Sequence, residues 1–210
     1  MVKALTSGSP KSEQELMREV EYAMRQLDPV YEDSCSSSPS MICSGPAVGN
    51  SLLYPPQPDR RVGPGAVIHW DLAMRHRGYA VDTSRTRVVG KATAQQKHAF
   101  EAVSGVMDEV MAAIRPGLKA SELVDLAVRV ARSNGYELWD RFLGHGVGMD
   151  AHERPDMGRE ETPFAAGMII AIEPRVVDGD RIFGTENSVL VTAYGGEALN
   201  KFPVGPLELV

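Results

Sequence analysis

Apolar and polar positions follow two different rhythms along this chain, and the changes of rhythm mark its elements. Residues 1–10 show neither and read as a loose lead-in. From Ser12 the spacing turns helical: Leu16, Val20 and Ala23 share one stripe, and Ser12 with Glu15 makes an S-x-x-E capping box, which predicts a helix to about Gln26. Between Asp28 and Pro64, Ser, Pro and Gly dominate, as in SCSSSPS and YPPQP. Loops are expected there, with one short strand around Met41 to Ser44. Strand signals begin at Ala66 (AVIHWDLAM) and again at Gly78 (GYAVDTSRTRVV), close enough together to predict a β-hairpin. Thr93 to Gln96 offers a cap for a helix to Ile114, which Pro116-Gly117 stops. Another helix is expected from about Ser121 to Asn134, ended by Gly135. Strands at Phe142 to Val147, Met168 to Glu173 and Glu186 to Thr192 complete an α+β order rather than strict βαβ.

Two carboxylates interrupt the apolar hairpin strands. An ionised Asp71 or Asp82 is costly there unless a cation or hydrogen bonds compensate it. Pairing the two across the hairpin centres its turn between His76 and Arg77, and a metal ion is the simplest neutraliser of like charges so placed. The arrangement recurs further on, where pairing Glu173 with Glu186 centres a turn between Gly179 and Asp180, within the turn signal DGD. His145, in GHGVG, adds a nitrogen ligand, and its flanking glycines permit close backbone approach.

Composition narrows the function class. With 210 residues, 43% of them hydrophobic, the chain can bury a sizeable core, and one domain spanning residues 1–210 is expected. The net charge of −6 is spread out, with no run of Lys or Arg to track a phosphate backbone, so nucleic acid is not an expected partner. No apolar stretch is long enough to cross a bilayer and no signal-peptide core is evident, which makes the cytoplasm the expected location and excludes a membrane partner. Cys35 and Cys43 lack zinc-site spacing and read as reduced thiols.

In order along the chain stand Asp71 and Asp82 with Ser84 to Thr86, then GHGVG-x3-HE (Gly144 to Glu153), IEP (Ile172 to Pro174) and EN-x-VLVT (Glu186 to Thr192). Together they resemble the pita-bread metalloenzymes, which include Xaa-Pro aminopeptidases, prolidases, methionine aminopeptidases and creatinase. The resemblance covers roughly Ser44 to Pro203. It implies a curved antiparallel sheet with helices outside, in a chain shortened at its N-terminus and lacking the separate N-terminal domain. It further implies two divalent metal ions: Asp71 would chelate one, Asp82 and Glu186 would bridge both, His145 and Glu173 would complete the second, and a bridging hydroxide would attack an amide carbonyl. Such oxygen-rich ligands suit Mn(II), Fe(II), Co(II) or Zn(II), and the resemblance favours manganese. His152 matches the position that hydrogen-bonds the substrate carbonyl, which together with Glu173 makes it a candidate catalytic residue.

Three departures from the family bear on the pocket. The loop after SGP, where Xaa-Pro peptidases usually carry a histidine, reads SGPAVGNSLLYPPQPDR, with Tyr54 near the corresponding position. His69 shares a strand face with Asp71 and is a candidate to line the site in compensation, against the plainer reading of a packed strand histidine. The usual IEPG becomes IEPR, and the arginine commonly two residues before the last ligand is Gly184. Arg175 and Arg181 are accordingly read either as exposed loop residues or as a counter-charge for a carboxylated substrate. The leading expectation is hydrolysis of a small peptide of Xaa-Pro type. The alternatives are a creatinase-, ectoine-hydrolase- or lyase-like enzyme acting on a non-peptide small molecule, and a metal-free binding module. A homodimer would cover exposed sheet edges.

Overall fold

The structure, a computed structural model, describes residues 10–27, 40–45, 55–158, 160–179 and 181–209. The strand β1 (Lys11–Ser12) leads into helix α1 (Glu13–Leu27). Its expected capping box is present: the Glu15 amide donates to Ser12 Oγ at 3.1 Å, and the Ser12 amide donates to Glu15 Oε2 at 2.7 Å. Strands β2 (Met41–Ser44) and β3 (Arg61–Val62) precede the long hairpin of β4 (Val67–His76) and β5 (Tyr79–Val89). Helix α2 (Ala94–Ala113) opens on the Thr93–Gln96 capping box, and α3 (Ala120–Ser133) follows. Gly135, at φ 80°, lets the chain reverse after α3, so that the amides of Gly135 and Tyr136 reach the carbonyls of Arg132 and Ala131.

Eight strands follow among the described residues: β6 (Gly144–Gly146), β7 (Glu153–Met157), β8 (Ile169–Ile172), β9 (Arg175–Asp178), β10 (Arg181–Gly184), β11 (Asn187–Thr192), β12 (Gly195–Ala198) and β13 (Glu208–Leu209). One sheet runs β12-β11-β8-β6-β7 and another β13-β5-β4-β2, with β9 and β10 paired between them. The sheets are antiparallel as expected, with, among the described residues, the two-residue β13 alone running parallel to its neighbour, β5. The Glu186 amide donates to the Ser84 carbonyl at 3.0 Å and so joins the hairpin to the second half of the chain.

Alternation along β8 shows how the layers are built. Ile170 and Ile172 point into the main core, with Val189 and Val191 of β11 and the buried faces of α2 and α3 (Val103, Val106, Val110, Leu123, Ala127). Ala171 and the Glu173 that follows therefore face the other way. A second core joins Leu16, Met17 and Val20 of α1 to Ile42, Ile68 and Trp70. Helices thus cover the outer faces, leaving the inner face for the polar residues.

The hairpin register differs from the expected one. Asp71 faces Ser84 and Asp82 faces Ala73, with His76 opposite Tyr79. The turn is Arg77-Gly78, both at positive φ (52° and 86°), two residues that give the twist a tight antiparallel hairpin needs. The glutamate register is the expected one: Ile172 pairs with Asn187 and Arg175 with Gly184, so Glu173 and Glu186 stand opposite each other between two strand pairs. Asp180 of that turn, Cys35 and Tyr54 lie outside the described residues. Cys43 is a free, buried thiol that burial pushes up to about 12.

Candidate metal centre

Asp71, Asp82, His145, Glu173 and Glu186 come together on the inner face, each at most 8% exposed. Three overlapping groups have ligand atoms within 4.8 Å of one another: Asp71, Asp82 and Glu186; His145, Glu173 and Glu186; and Asp82, His145 and His152. Asp71 and Asp82 are diagonal neighbours on one face of the hairpin, with carboxylate oxygens within 4.8 Å of each other. Glu173 and Glu186 approach from the strand junction, and His145 from β6.

Glycine makes the His145 position possible. A Cβ on Gly144 would lie 1.9 Å from the Ala171 carbonyl oxygen, and one on Gly146 would lie 2.2 Å from that of Arg154. Strand β6 can therefore sit between β8 and β7 only with glycines on both sides of the histidine. His145 Nδ1 lies 3.0 Å from the Gly146 carbonyl oxygen, which can only accept. Nδ1–H accordingly donates to that carbonyl and Nε2 is turned toward the carboxylates; burial would lower the pKa of the ring, but Glu173 raises it.

The electrostatics are those of a buried carboxylate cluster that the protein's own groups compensate only in part. Asp82 Oδ1, both carboxylate oxygens of Glu186 and His145 Nε2 are buried without a hydrogen-bond partner. His145 Nε2 is 3.2 Å from Glu173 Oε1 but not aligned for a hydrogen bond. Burial, reinforced by Asp71 and Glu173, pushes the Asp82 carboxyl well above its ordinary range, and burial with Asp82 and Asp71 does the same to Glu186. Asp71 rises to about 6 from burial, with Arg175 acting against the rise. Glu173 alone goes down: burial would raise it, but Arg175 and His145 hold it at about 2. Orphaned oxygens and an unpartnered imidazole nitrogen, converging within ligand distance, fit divalent cations in number and chemistry.

His152 stands at the mouth. Its side chain is 45% exposed, its Nε2 is 3.7 Å from Asp82 Oδ2, and its ring centroid is 3.9 Å from that of His145. Both histidines line an open cleft of about 550 Å³ with Phe142, Glu153, Arg154 and Glu160. His69 shares the face of Asp71 but is fully buried, its Nδ1 3.0 Å from Thr86 Oγ1. Burial, aided by Arg175, lowers its pKa to about 3, which keeps it neutral.

Arg175 is 6% exposed, contrary to the expectation of an exposed loop residue, and its Nη2 lies 2.5 Å from Glu173 Oε2 and 3.3 Å from Asp71 Oδ2. Arg85 belongs to the Ser84 to Thr86 motif, but sequence alone assigns it no role. Fully buried, it donates to the carbonyl of Glu186, to Asn187 Oδ1 at 2.8 Å, and to the carbonyls of Phe202 (2.8 Å) and Pro203 (3.2 Å). The available signal was alternation: Ser84 and Thr86 share the face of Asp82, so Arg85 and Arg87 must point into the layer behind it. His98 and His76 are exposed as expected, His98 with its Nδ1 3.2 Å from the Tyr136 hydroxyl.

A curved, mostly antiparallel sheet with outer helices and a carboxylate-rich inner face defines the pita-bread class of metalloenzyme fold. The chain belongs to metallopeptidase family M24, whose pattern residues 1–193 match. It is 31% identical over 209 residues to an Xaa-Pro dipeptidase of Pyrococcus horikoshii, covering 95% of this chain and 56% of that protein. The mitochondrial methionine aminopeptidase 1D of Mus musculus is 28% identical over 79% of this chain and 55% of its own length. The crystal structure of an X-Pro aminopeptidase from Thermotoga maritima superposes with a TM-score of 0.85 at 22% identity, over 99% of this chain and 57% of that one, and shares the fold. The chain therefore spans about half the length of the curated relatives it matches.

Proposed function

We propose that this chain is a dinuclear metal-dependent hydrolase that cleaves an amide C–N bond of a small peptide, with Xaa-Pro dipeptides or N-terminal Xaa-Pro peptides as the leading substrate class. The observation that carries the reading is the set of orphaned ligand atoms on Asp82, His145 and Glu186, buried and mutually within reach. Asp71, Asp82, His145, Glu173 and Glu186 would hold the ions. Bound there, two divalent ions supply Lewis acidity, lowering the pKa of water and polarising the scissile carbonyl. With four carboxylates as ligands, manganese is the preferred metal, with Co(II), Fe(II) and Zn(II) as substitutes.

The remaining steps belong to the chain's own groups. His152, half-exposed over Asp82 and kept mostly neutral by burial and by His145, donates a hydrogen bond to the substrate carbonyl oxygen as charge builds there. Glu173, held ionised by Arg175 and by His145, would serve as a ligand and would accept a hydrogen bond from the attacking water. His69, behind Asp71, fixes Thr86 and acts as a positioning residue. The reading also takes residues 1–210 as one catalytic domain located in the cytoplasm, in which a homodimer would cover exposed sheet edges. Cleavage of a non-peptide amide is the second reading, favoured by the lack of any histidine between Ser44 and Ala66.

Metal analysis of the purified protein before and after Mn(II) reconstitution tests the proposal, with Asp82→Ala and Glu186→Ala as controls. About two ions per wild-type chain, lost in both variants, is the expected result. Wild-type protein that takes up no metal would overturn it.

A further inference from the structure

Arg175 is not where a cation is usually wanted. A guanidinium with Nη2 2.5 Å from Glu173 Oε2 and 3.3 Å from Asp71 Oδ2 occupies two of the carboxylates that would hold the ions. Its place is built rather than incidental. Arg175 pairs across the ladder with Gly184, and a Cβ at 184 would come within 2.9 Å of Arg175 Cγ, so the arginine stem fills room that only a glycine partner leaves. Trp139 closes another side, its ring centroid 5.9 Å from the guanidinium carbon. Burial on all sides removes the water that would otherwise screen the charge.

We propose that Arg175 is a resident counter-ion of the centre: it partly neutralises the carboxylates when no metal is bound, and it lowers the affinity for divalent ions. Arg175 sets one positive charge against Asp71 and Glu173, the two carboxylates it touches. The metal-free protein is thereby spared the repulsion that an unfilled cluster would suffer. An incoming dication must in turn settle beside a fixed positive charge, and must draw Asp71 Oδ2 and Glu173 Oε2 away from it. The consequence is a centre that folds without metal and exchanges ions readily.

This inference rests on the metal-binding reading above, and its test separates the two. Mn(II) affinity and stoichiometry are measured by calorimetry on wild type, Arg175→Gln and Arg175→Lys, with thermal unfolding of each in chelator and in Mn(II). Arg175→Gln should bind Mn(II) roughly tenfold or more tightly, melt lower than wild type in chelator, and gain more from the metal. Arg175→Lys, which keeps the charge, should stay within about threefold of wild-type affinity. Equal or weaker Mn(II) binding by Arg175→Gln would overturn the counter-ion role while leaving the metal centre intact. Failure of every protein to bind Mn(II) would overturn both. If Arg175→Gln unfolds without metal, recovery of native circular dichroism on adding Mn(II) supports the proposal, and no recovery overturns it.

Discussion

Asp82 stands diagonally across the hairpin from Asp71, one facing Ala73 and the other Ser84, so that their carboxyls converge without being forced into direct opposition. Together with burial, this geometry holds Asp82 and Glu186 protonated well above their ordinary range when metal is absent.

The sign of the resulting pH dependence follows from the raised values. A carboxyl whose folded pKa lies above its unfolded one contributes stability that is present below the unfolded value and lost as pH rises through the folded one. For Asp82 the window runs from 3.8 to about 9, so the metal-free protein should melt progressively lower as pH is raised from 6 to 9. Glu173, lowered to about 2, acts only at the acid end, its contribution lost as pH falls below 4.5. Thermal unfolding in chelator across this range checks the slope, and a flat or rising profile above pH 6 would contradict it.

Metal binding should release protons, because Asp82 and Glu186 must ionise to act as ligands. Calorimetric titration with Mn(II) in buffers of different ionisation enthalpy should show at least one proton released per chain near neutral pH. Buffer-independent heats would count against protonated ligands.

His152→Ala should retain its metal but lose activity by about 10²-fold or more, since the residue lies at the mouth and offers a proton rather than ligation. The measurement is kcat alongside metal content in the same preparation. Full activity would remove His152 from the mechanism.

Gly144→Ala drives a methyl group into the Ala171 carbonyl and requires a residue other than glycine at φ 146°. It should destabilise the protein by roughly 3 kcal/mol and displace His145. Gly105→Ala, in the middle of α2 with nothing within 4 Å of its new methyl, should instead stabilise it by about 0.5–1 kcal/mol. Thermal denaturation of the pair reads both signs at once.

Much of the fold was legible because its signals are local. Capping boxes at Ser12 and Thr93 and the glycine after α3 mark helix ends that depend on nearby backbone groups alone. Strand β7 was missed, since Pro155 lies within it and its pairing with β6 is irregular, which masks a period-two signal. The hairpin register slipped by two positions because the DxxxxxxxxxxD spacing was read as direct opposition. The choice of Arg77-Gly78 as the turn depends on positive φ at an arginine, which composition does not announce. Two residues is an even slip, so both aspartates stayed on the correct face. Arg175 was misjudged for a tertiary reason: its burial follows from a cross-strand glycine nine positions away and from carboxylates on other strands.

Arg85 ties five acceptors to one rigid fork: the carbonyls of Ser84 and Glu186 and the Asn187 side chain beside the carboxylate cluster, and the carbonyls of Phe202 and Pro203 further along the chain. Anything that tightens Glu186 should therefore tighten residues 202–203 as well, and by reciprocity anything that loosens that stretch should loosen the ligand. A protease that nicks near Lys201 would then report on the centre from outside it, cutting slowly when the ions are held and quickly once they are gone.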